Sequence, residues 1–518
     1  MEIVKDKVLL VRTRHPERIT ETVSGSKKLG TAKEDISLVA VNWDLPTAQS
    51  LAKLKFKNVP SPIMRDYKWP GQFKPMQHQK DTASFLTLNP RAFCFNEQGT
   101  GKTAAAIWAS DYLLEVGAIK RVLIICPLSI MQSAWHTDLF RFATHRNAAV
   151  AHGSREKRKN ILEGPYEYVI INYDGVEIVA DTIRAGGFDL IIIDEANAYK
   201  NINTKRWKTM KGLLTEQTWL WMMTGTPAAQ SPSDAYGLAK LCVPDRVPRF
   251  FGVFRDMVMQ NITRFKWVPK PTANKTVFAT LQPAIRFTKE ECLDLPEVTH
   301  VEREAPLSPQ QDKYYKQLKK ELLISAAGEE VSTPNAATNL NKLLQISGGA
   351  VYTDTGAVVE FDVSNRLRAV LEVVEEASHK VLVFVPFRHT ILLLKDYLDK
   401  NNVTSEIISG DVSAQSRTRI FNRFQTETNP KVLIIQPQAA AHGVTLTAAN
   451  VIIWYSPVTS IETYLQANAR INRKGQKNAM TIVHIQGSAV EKRLYAMLSS
   501  KLDHHSRLTD LYKSELSS

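Results

Sequence analysis

The sequence predicts an α/β protein built from two doubly wound parallel-sheet domains in tandem, preceded by a small N-terminal α/β appendage. Three observations lead there. Short, continuous aliphatic runs alternate with amphipathic helical stretches in two separate sets, the signature of parallel sheets covered on both faces. At 518 residues the chain is too long for one ordinary core. A Gly-Lys-Thr turn, Gly101-Lys102-Thr103, follows an apolar run in the first set.

Residues 1–72 read as the appendage, with strand-like runs at 8–11 and 37–41 and a helix from about Leu45 to Lys55. Pro60-Ser61-Pro62 and Trp69-Pro70-Gly71 then form a stiff, turn-rich connection. The first sheet domain is placed at 73–285, with strands at Val122–Cys126, Tyr168–Asn172, Leu190–Ile193 and Trp219–Met223. A helical connector is expected over 286–350, including Ser308–Leu323, and the small, polar stretch Ser325–Thr338 reads as a flexible linker. The second sheet domain spans 351–500. Its strands are expected at Lys380–Val385, Ser405–Ile408, Val432–Ile435, Val451–Tyr455 and Met480–Ile485, with helices at Ile391–Asp399 and Ser413–Phe424. A basic tail, 501–518, closes the chain.

Composition narrows the class. Sixty-six Lys and Arg against 52 Asp and Glu give a net charge of +14, which favours a polyanionic partner, nucleic acid being the commonest. Cys94, Cys126, Cys242 and Cys292 are far apart and form no Cys-x-x-Cys pair, so they read as small buried apolar residues of a reducing compartment. No apolar run approaches the roughly 20 residues that cross a bilayer, and charges interrupt the first residues where a signal peptide would be apolar. The expectation is a cytoplasmic protein, monomeric in isolation.

The turn Asn96-Glu97-Gln98-Gly99-Thr100-Gly101-Lys102-Thr103 reads as a phosphate cradle. Backbone N–H groups of Gly99, Thr100 and Gly101 face a triphosphate, Lys102 neutralises its outer oxygens, and Thr103 supplies a hydroxyl to magnesium. The run Ile191-Ile192-Ile193 ends in Asp194-Glu195. Asp194 suits a metal, usually through water, and Glu195 suits polarising the attacking water. Either element alone is modest; an ordinary turn or a buried strand end explains each. In the second domain Arg470 and Arg473, three apart, are expected on one helix face. A basic helix face would explain them as well as a role at a transferring phosphate. Beside a cradle in the other domain, arginine fingers completing a composite site are the favoured reading.

These residues resemble the Swi/Snf family of superfamily-two helicase-like ATPases over about residues 73–500, which implies two RecA-like lobes. Phe73-Lys74-Pro75-Met76-Gln77-His78-Gln79 resembles the family's adenine-reading motif, and its spacing to Phe85-Leu86 favours Gln79 over Gln77. Leu123 to Ser129, followed by Trp135, is similar to the segment gripping the nucleic-acid backbone. His152-Gly153-Ser154-Arg155 and Ile170-Ile171-Asn172-Tyr173 fall where related segments fall. Thr224-Gly225-Thr226-Pro227 resembles the motif coupling hydrolysis to lobe movement. Gly410 with Arg417, the run Ala441–Ala449 and Gln466 to Gln476 match second-lobe motifs.

The resemblance implies ATP and Mg2+ as cofactors, and double-stranded DNA as partner, touched by Ser129, Asn172 and Thr445. Thr224, Gly225, Thr226 and Gln466 are the implied coupling residues. Family members typically translocate on duplex DNA without separating strands, so a DNA translocase is expected. A strand-separating or annealing helicase and a slow ATP-gated clamp recruiting a protein through residues 1–72 are the alternatives. Three departures stand out. The cradle opens with Asn96 where the family often has Asp; Asp-Glu-Ala-His becomes Asp194-Glu195-Ala196-Asn197; and Thr459 replaces a tryptophan of chromatin remodellers. The last, with no room for bromodomain-, chromodomain- or HAND-like modules, points to a compact prokaryotic or viral type acting in a prokaryotic host or virus-infected cell.

Overall fold

The computed structural model describes residues 1–31, 36–225, 227–228, 231–263, 266–292, 296–328, 333–352, 358–440, 444–473 and 475–498. Among the described residues the chain divides into two compact units, 1–292 and 296–498. The first unit opens on an antiparallel four-stranded sheet in the order Glu2–Val4, Val8–Thr13, Ser37–Asn42, Lys27–Thr31. Period-two alternation turns Leu9, Val11, Val39 and Val41 onto Ile19, Trp43 and Leu51. Asp44 starts the helix Leu45–Lys53 by accepting a hydrogen bond from the Thr47 N–H at 2.9 Å.

The main sheet of this unit has seven parallel strands among the described residues. Their order is Ala284–Ile285, Arg91–Cys94, Trp219–Met223, Leu190–Asp194, Val122–Cys126, Tyr168–Asn172, Ala148–Ala151. Its central strands are buried along their whole length because helices cover both faces. Leu123, Ile125, Ile191 and Ile193 pack with Tyr236 and Leu238 on one face, and Ile124, Ile192 and Trp221 with Ile107 and Trp108 on the other.

The four strands expected here form within a residue of their predicted ends. Arg91–Cys94, Ala148–Ala151 and Ala284–Ile285 are additions, too short or too rich in small residues to stand out in sequence. Met259–Thr263 and Lys266–Pro269 pair as a separate antiparallel two-stranded sheet. Cys94, Cys126 and Cys242 are buried as expected, and Cys292 is half-buried.

The main sheet of the second unit has six parallel strands among the described residues, in the order Val298–Glu304, Met480–Gln486, Ala449–Trp454, Lys380–Phe384, Val432–Ile435, Ser405–Ile408. Val381, Val383, Ile434, Ile453 and Val483 form its centre. The helices Arg388–Lys400 and Ala414–Thr426 cover the predicted ones, the second capped by Ser413 accepting from the Ser416 N–H. Two differences arise in the stretch read as a connector. Its residues Val298–Glu304 form an edge strand of the second sheet. Most of the expected linker lies in the helices Pro309–Gly328 and Thr333–Gly348, because the alanines that read as linker are also the best helix formers. Residues 329–332, and the basic tail 501–518, lie outside the described residues.

A buried ion pair, Arg366 to Glu491 at 2.8 Å, ties the helix Ser364–Glu376 to the end of the unit. The Ser488 hydroxyl and two backbone N–H groups also donate to that carboxylate, so the buried charge is solvated by protein groups.

Candidate active site

Register brings the predicted chemistry of the first unit to one sheet edge. Met223 pairs with Cys94 on one side and with Asp194 on the other. The cradle after Cys94, the Asp194-Glu195 pair and Thr224-Gly225 therefore leave the same carboxyl-terminal edge, where doubly wound sheets bind ligands.

The cradle runs from Phe95 to Gly101 and enters the helix Lys102–Glu115. Gly99 and Gly101 carry φ of 89° and 82°, a left-handed backbone open to glycine at little cost. The following helix offers first-turn N–H groups and the positive end of its dipole at Lys102 and Thr103. Gln79 lies against this turn. Its Oε1 accepts from the Met76 N–H at 2.9 Å and its Nε2 donates to the Thr100 carbonyl at 3.4 Å. A Cβ on Gly101 would come within 2.1 Å of that Nε2. His78, passed over in the sequence, also reaches the Thr100 carbonyl, at 2.8 Å. Gln77, which is exposed, instead donates to Asp81.

The first departure has a physical reason. The Asn96 amide donates to Thr82 Oγ1 at 2.8 Å, and the Thr82 hydroxyl spends its own proton on the His78 carbonyl. An aspartate would set an acceptor against an acceptor there. Asn96 Oδ1 accepts from the Phe287 N–H. Glu97 accepts from Arg286 at 3.4 Å and from the Lys289 N–H at 3.1 Å, so residues 286–289 clasp the entrance of the cradle.

Asp194 is buried and held from three directions. Trp135 Nε1 donates to its Oδ2 at 2.9 Å, the Glu195 N–H donates to Oδ1 at 3.0 Å, and the Tyr173 hydroxyl donates to its carbonyl at 2.5 Å. Burial raises its carboxyl above the ordinary value, opposed by the Lys102 charge and the two donors. Glu195 has a left-handed φ of 51°, and its Oε1 accepts from Gln98 of the cradle at 3.4 Å. The second departure preserves a link: Asn197 Nδ2 donates to Thr224 Oγ1 at 3.3 Å. Gly225 sits against Gln98, where a Cβ would approach its Cγ to 3.1 Å. Thr226 lies outside the described residues.

The predicted nucleic-acid contacts divide. Ser129 lies in the short turn Leu128–Ile130. Asn172 is buried, its Oδ1 accepting from Arg158 at 2.9 Å, an arrangement that shapes the strand end. Thr445 is exposed and accepts from Arg473 at 3.0 Å. The expectation of two arginines on one helix is corrected. The helix Ile461–Asn468 ends before them, and both lie in the turn that follows. They still converge: Arg470 and Arg473 both donate to the Val444 carbonyl, at 3.3 and 3.1 Å. Arg470 is buried here and Arg473 half-buried. Gln466 is buried and donates to Glu462. Arg417 donates to the Ser409 and Gly410 carbonyls, joining two matched motifs. Trp207 and Trp221 are core residues with indoles on carbonyls, while Lys205 and Arg206 pair with Glu177 and Asp174.

A magnesium nucleotide fits this set. The donors are hard oxygens, the Thr103 hydroxyl and the Asp194 carboxylate, of which each oxygen keeps a lone pair beyond its present partner. Among the described residues no cluster of His, Cys, Asp and Glu forms a separate metal site, and no helix is long and apolar enough to cross a membrane.

A parallel-sheet unit with this cradle and Asp-Glu strand end, followed by a second parallel-sheet unit, defines the class of helicase-like nucleotide hydrolases. The SNF2-related domain matches residues 78–348 and the helicase conserved C-terminal domain matches 365–475. The chain belongs to the SNF2 family of superfamily-two helicase-like ATPases. It is 26% identical over 433 residues to mouse chromodomain-helicase-DNA-binding protein 1-like, covering 79% of this chain and 46% of that one. It is 25% identical over 417 residues to the uncharacterized ATP-dependent helicase MG018 of Mycoplasma genitalium, covering 78% and 39%. The chain thus spans less than half the length of these relatives. The Sulfolobus solfataricus SWI2/SNF2 ATPase core in complex with dsDNA matches over 86% of this chain and 94% of that one, at 22% identity and a TM-score of 0.42.

Proposed function

We propose that this protein is a DNA-dependent ATPase that moves along double-stranded DNA. The observation carrying this reading is the shared sheet edge on which Met223 aligns the cradle strand with Asp194, joined to Thr224 through Asn197. Lys102 and the first-turn N–H groups bind the phosphates, and Gln79 lies beside the adenine. Thr103 and Asp194 hold magnesium, which when bound neutralises phosphate charge. Glu195 orients the attacking water, its carboxylate steadied by Gln98. Arg470 and Arg473 stabilise charge on the transferred phosphoryl group; such a contribution is worth about 10³ to 10⁵ in rate. Releasing Arg470 from Val444 is then part of the working cycle. Ser129 and Thr445 meet the DNA backbone, which gives affinity without base reading, in keeping with the net charge of +14.

Triplex displacement tests this reading. ATP-dependent release of a third strand from duplex DNA, lost in Lys102→Ala and in Glu195→Gln, is expected. ATP-driven separation of a forked duplex without triplex release would favour a strand-separating helicase. Retention of DNA by Glu195→Gln with slow wild-type turnover would favour the clamp.

A further inference from the structure

The sequence places Trp135 in a segment similar to one that grips nucleic acid, yet its ring is fully buried. It packs among Ile130, Met131, Leu139 and Cys126. A phenylalanine would fill such a pocket without a polar atom, whereas a buried indole N–H needs an acceptor. That acceptor is Asp194 Oδ2, 59 residues away in sequence and 2.9 Å away in space. The bond is charge-assisted and dry, the stronger kind. Its direction is set by the backbone. Met131–His136 is a single π-helical turn between the turn Leu128–Ile130 and the helix Thr137–Phe142, and such turns re-aim side chains. Thr137 Oγ1 secures it by donating to the Gln132 carbonyl at 2.8 Å.

We propose that Trp135 is a positioning residue, which fixes the carboxylate of Asp194 for magnesium and ties that metal site to the Leu128–His136 segment. This rests on the reading of the site as a magnesium-ATP site. With the Trp135 N–H on Oδ2 and the Glu195 N–H on Oδ1, the carboxylate plane is fixed before metal arrives. Partners of this kind typically contribute about 10- to 100-fold in metal affinity. Because Ser129 lies on the same short segment, a shift of that segment on DNA would turn the indole and with it the carboxylate.

The test measures binding of a fluorescent ATP analogue against Mg2+ concentration, with and without duplex DNA, in wild type and Trp135→Phe. The variant is expected to need about tenfold more Mg2+ for half-saturation. Its Mg2+-free nucleotide affinity should stay within about twofold, and DNA should lower the Mg2+ requirement of the wild type alone. If Trp135→Phe unfolds, site-specific 3-benzothienylalanine keeps the ring shape without the N–H. An unchanged Mg2+ requirement in a folded variant would overturn the positioning role. An equal DNA effect in both proteins, or none in the wild type, would overturn the tie to the segment. A wild type with no Mg2+-dependent nucleotide binding would overturn the ATP-site reading itself.

Discussion

Gly101→Ala couples the cradle to Gln79. The left-handed backbone at this glycine, φ 82°, costs an alanine about 1–2 kcal/mol. The new Cβ would stand 2.1 Å from Gln79 Nε2, so the glutamine must leave. Its departure sacrifices the bond from the Met76 N–H and the longer one to the Thr100 carbonyl, together about 1–2 kcal/mol. In a Gln79→Ala background those bonds are already gone and the collision is relieved, so only the backbone strain remains. A double-mutant cycle on the first unit's denaturation transition should give a coupling of about 1–2 kcal/mol. Nucleotide affinity in Gly101→Ala should fall alongside. Equal destabilisation by Gly101→Ala in both backgrounds would refute the argument, since it would mean that Gln79 does not bear on the cradle.

Other outcomes follow from the same geometry. Asn197→Ala removes the donor to Thr224; nucleotide binding should hold within about twofold while DNA-stimulated turnover falls about fivefold or more. Glu97→Gln takes a carboxylate charge from beside the Arg286 guanidinium, which is 3% exposed; because Glu97 is partly exposed, a loss of about 1–3 kcal/mol is expected in chemical denaturation of the first unit. In the second unit, burial and then His300 push His484 down to about 4 from 6.5, with Tyr464 on its Nε2. Protonation therefore favours the unfolded chain. The cost is absent above pH 6.5, grows as pH falls, and levels off near pH 4 at about 3 kcal/mol. His484→Gln should flatten the wild-type fall in stability across that window; parallel curves would contradict the assignment.

The sheets were legible because continuous aliphatic strands such as Val122–Cys126 and Leu190–Asp194 carry their burial in composition. The turn before the helix Lys102–Glu115 was legible because such a turn is local: spacing alone places Gly99 and Gly101 in it and Lys102 and Thr103 at the helix start. What escaped is carried by tertiary contact between distant residues. Trp135 and Asp194, Arg286 and Glu97, and Thr82 and Asn96 meet through packing of separate strands and helices. The arginines were misplaced on a helix because Ala467-Asn468-Ala469 gives no strong stop signal, yet the helix ends there. The expected linker failed for the opposite reason, small residues serving helix and linker alike.

The most direct measurement is steady-state ATPase with no nucleic acid, single-stranded DNA, double-stranded DNA and RNA, beside Lys102→Ala. Strong stimulation selective for duplex DNA and abolished in Lys102→Ala is the predicted result. Negligible turnover throughout, or stimulation by single strands or RNA in place of duplex, would contradict the account.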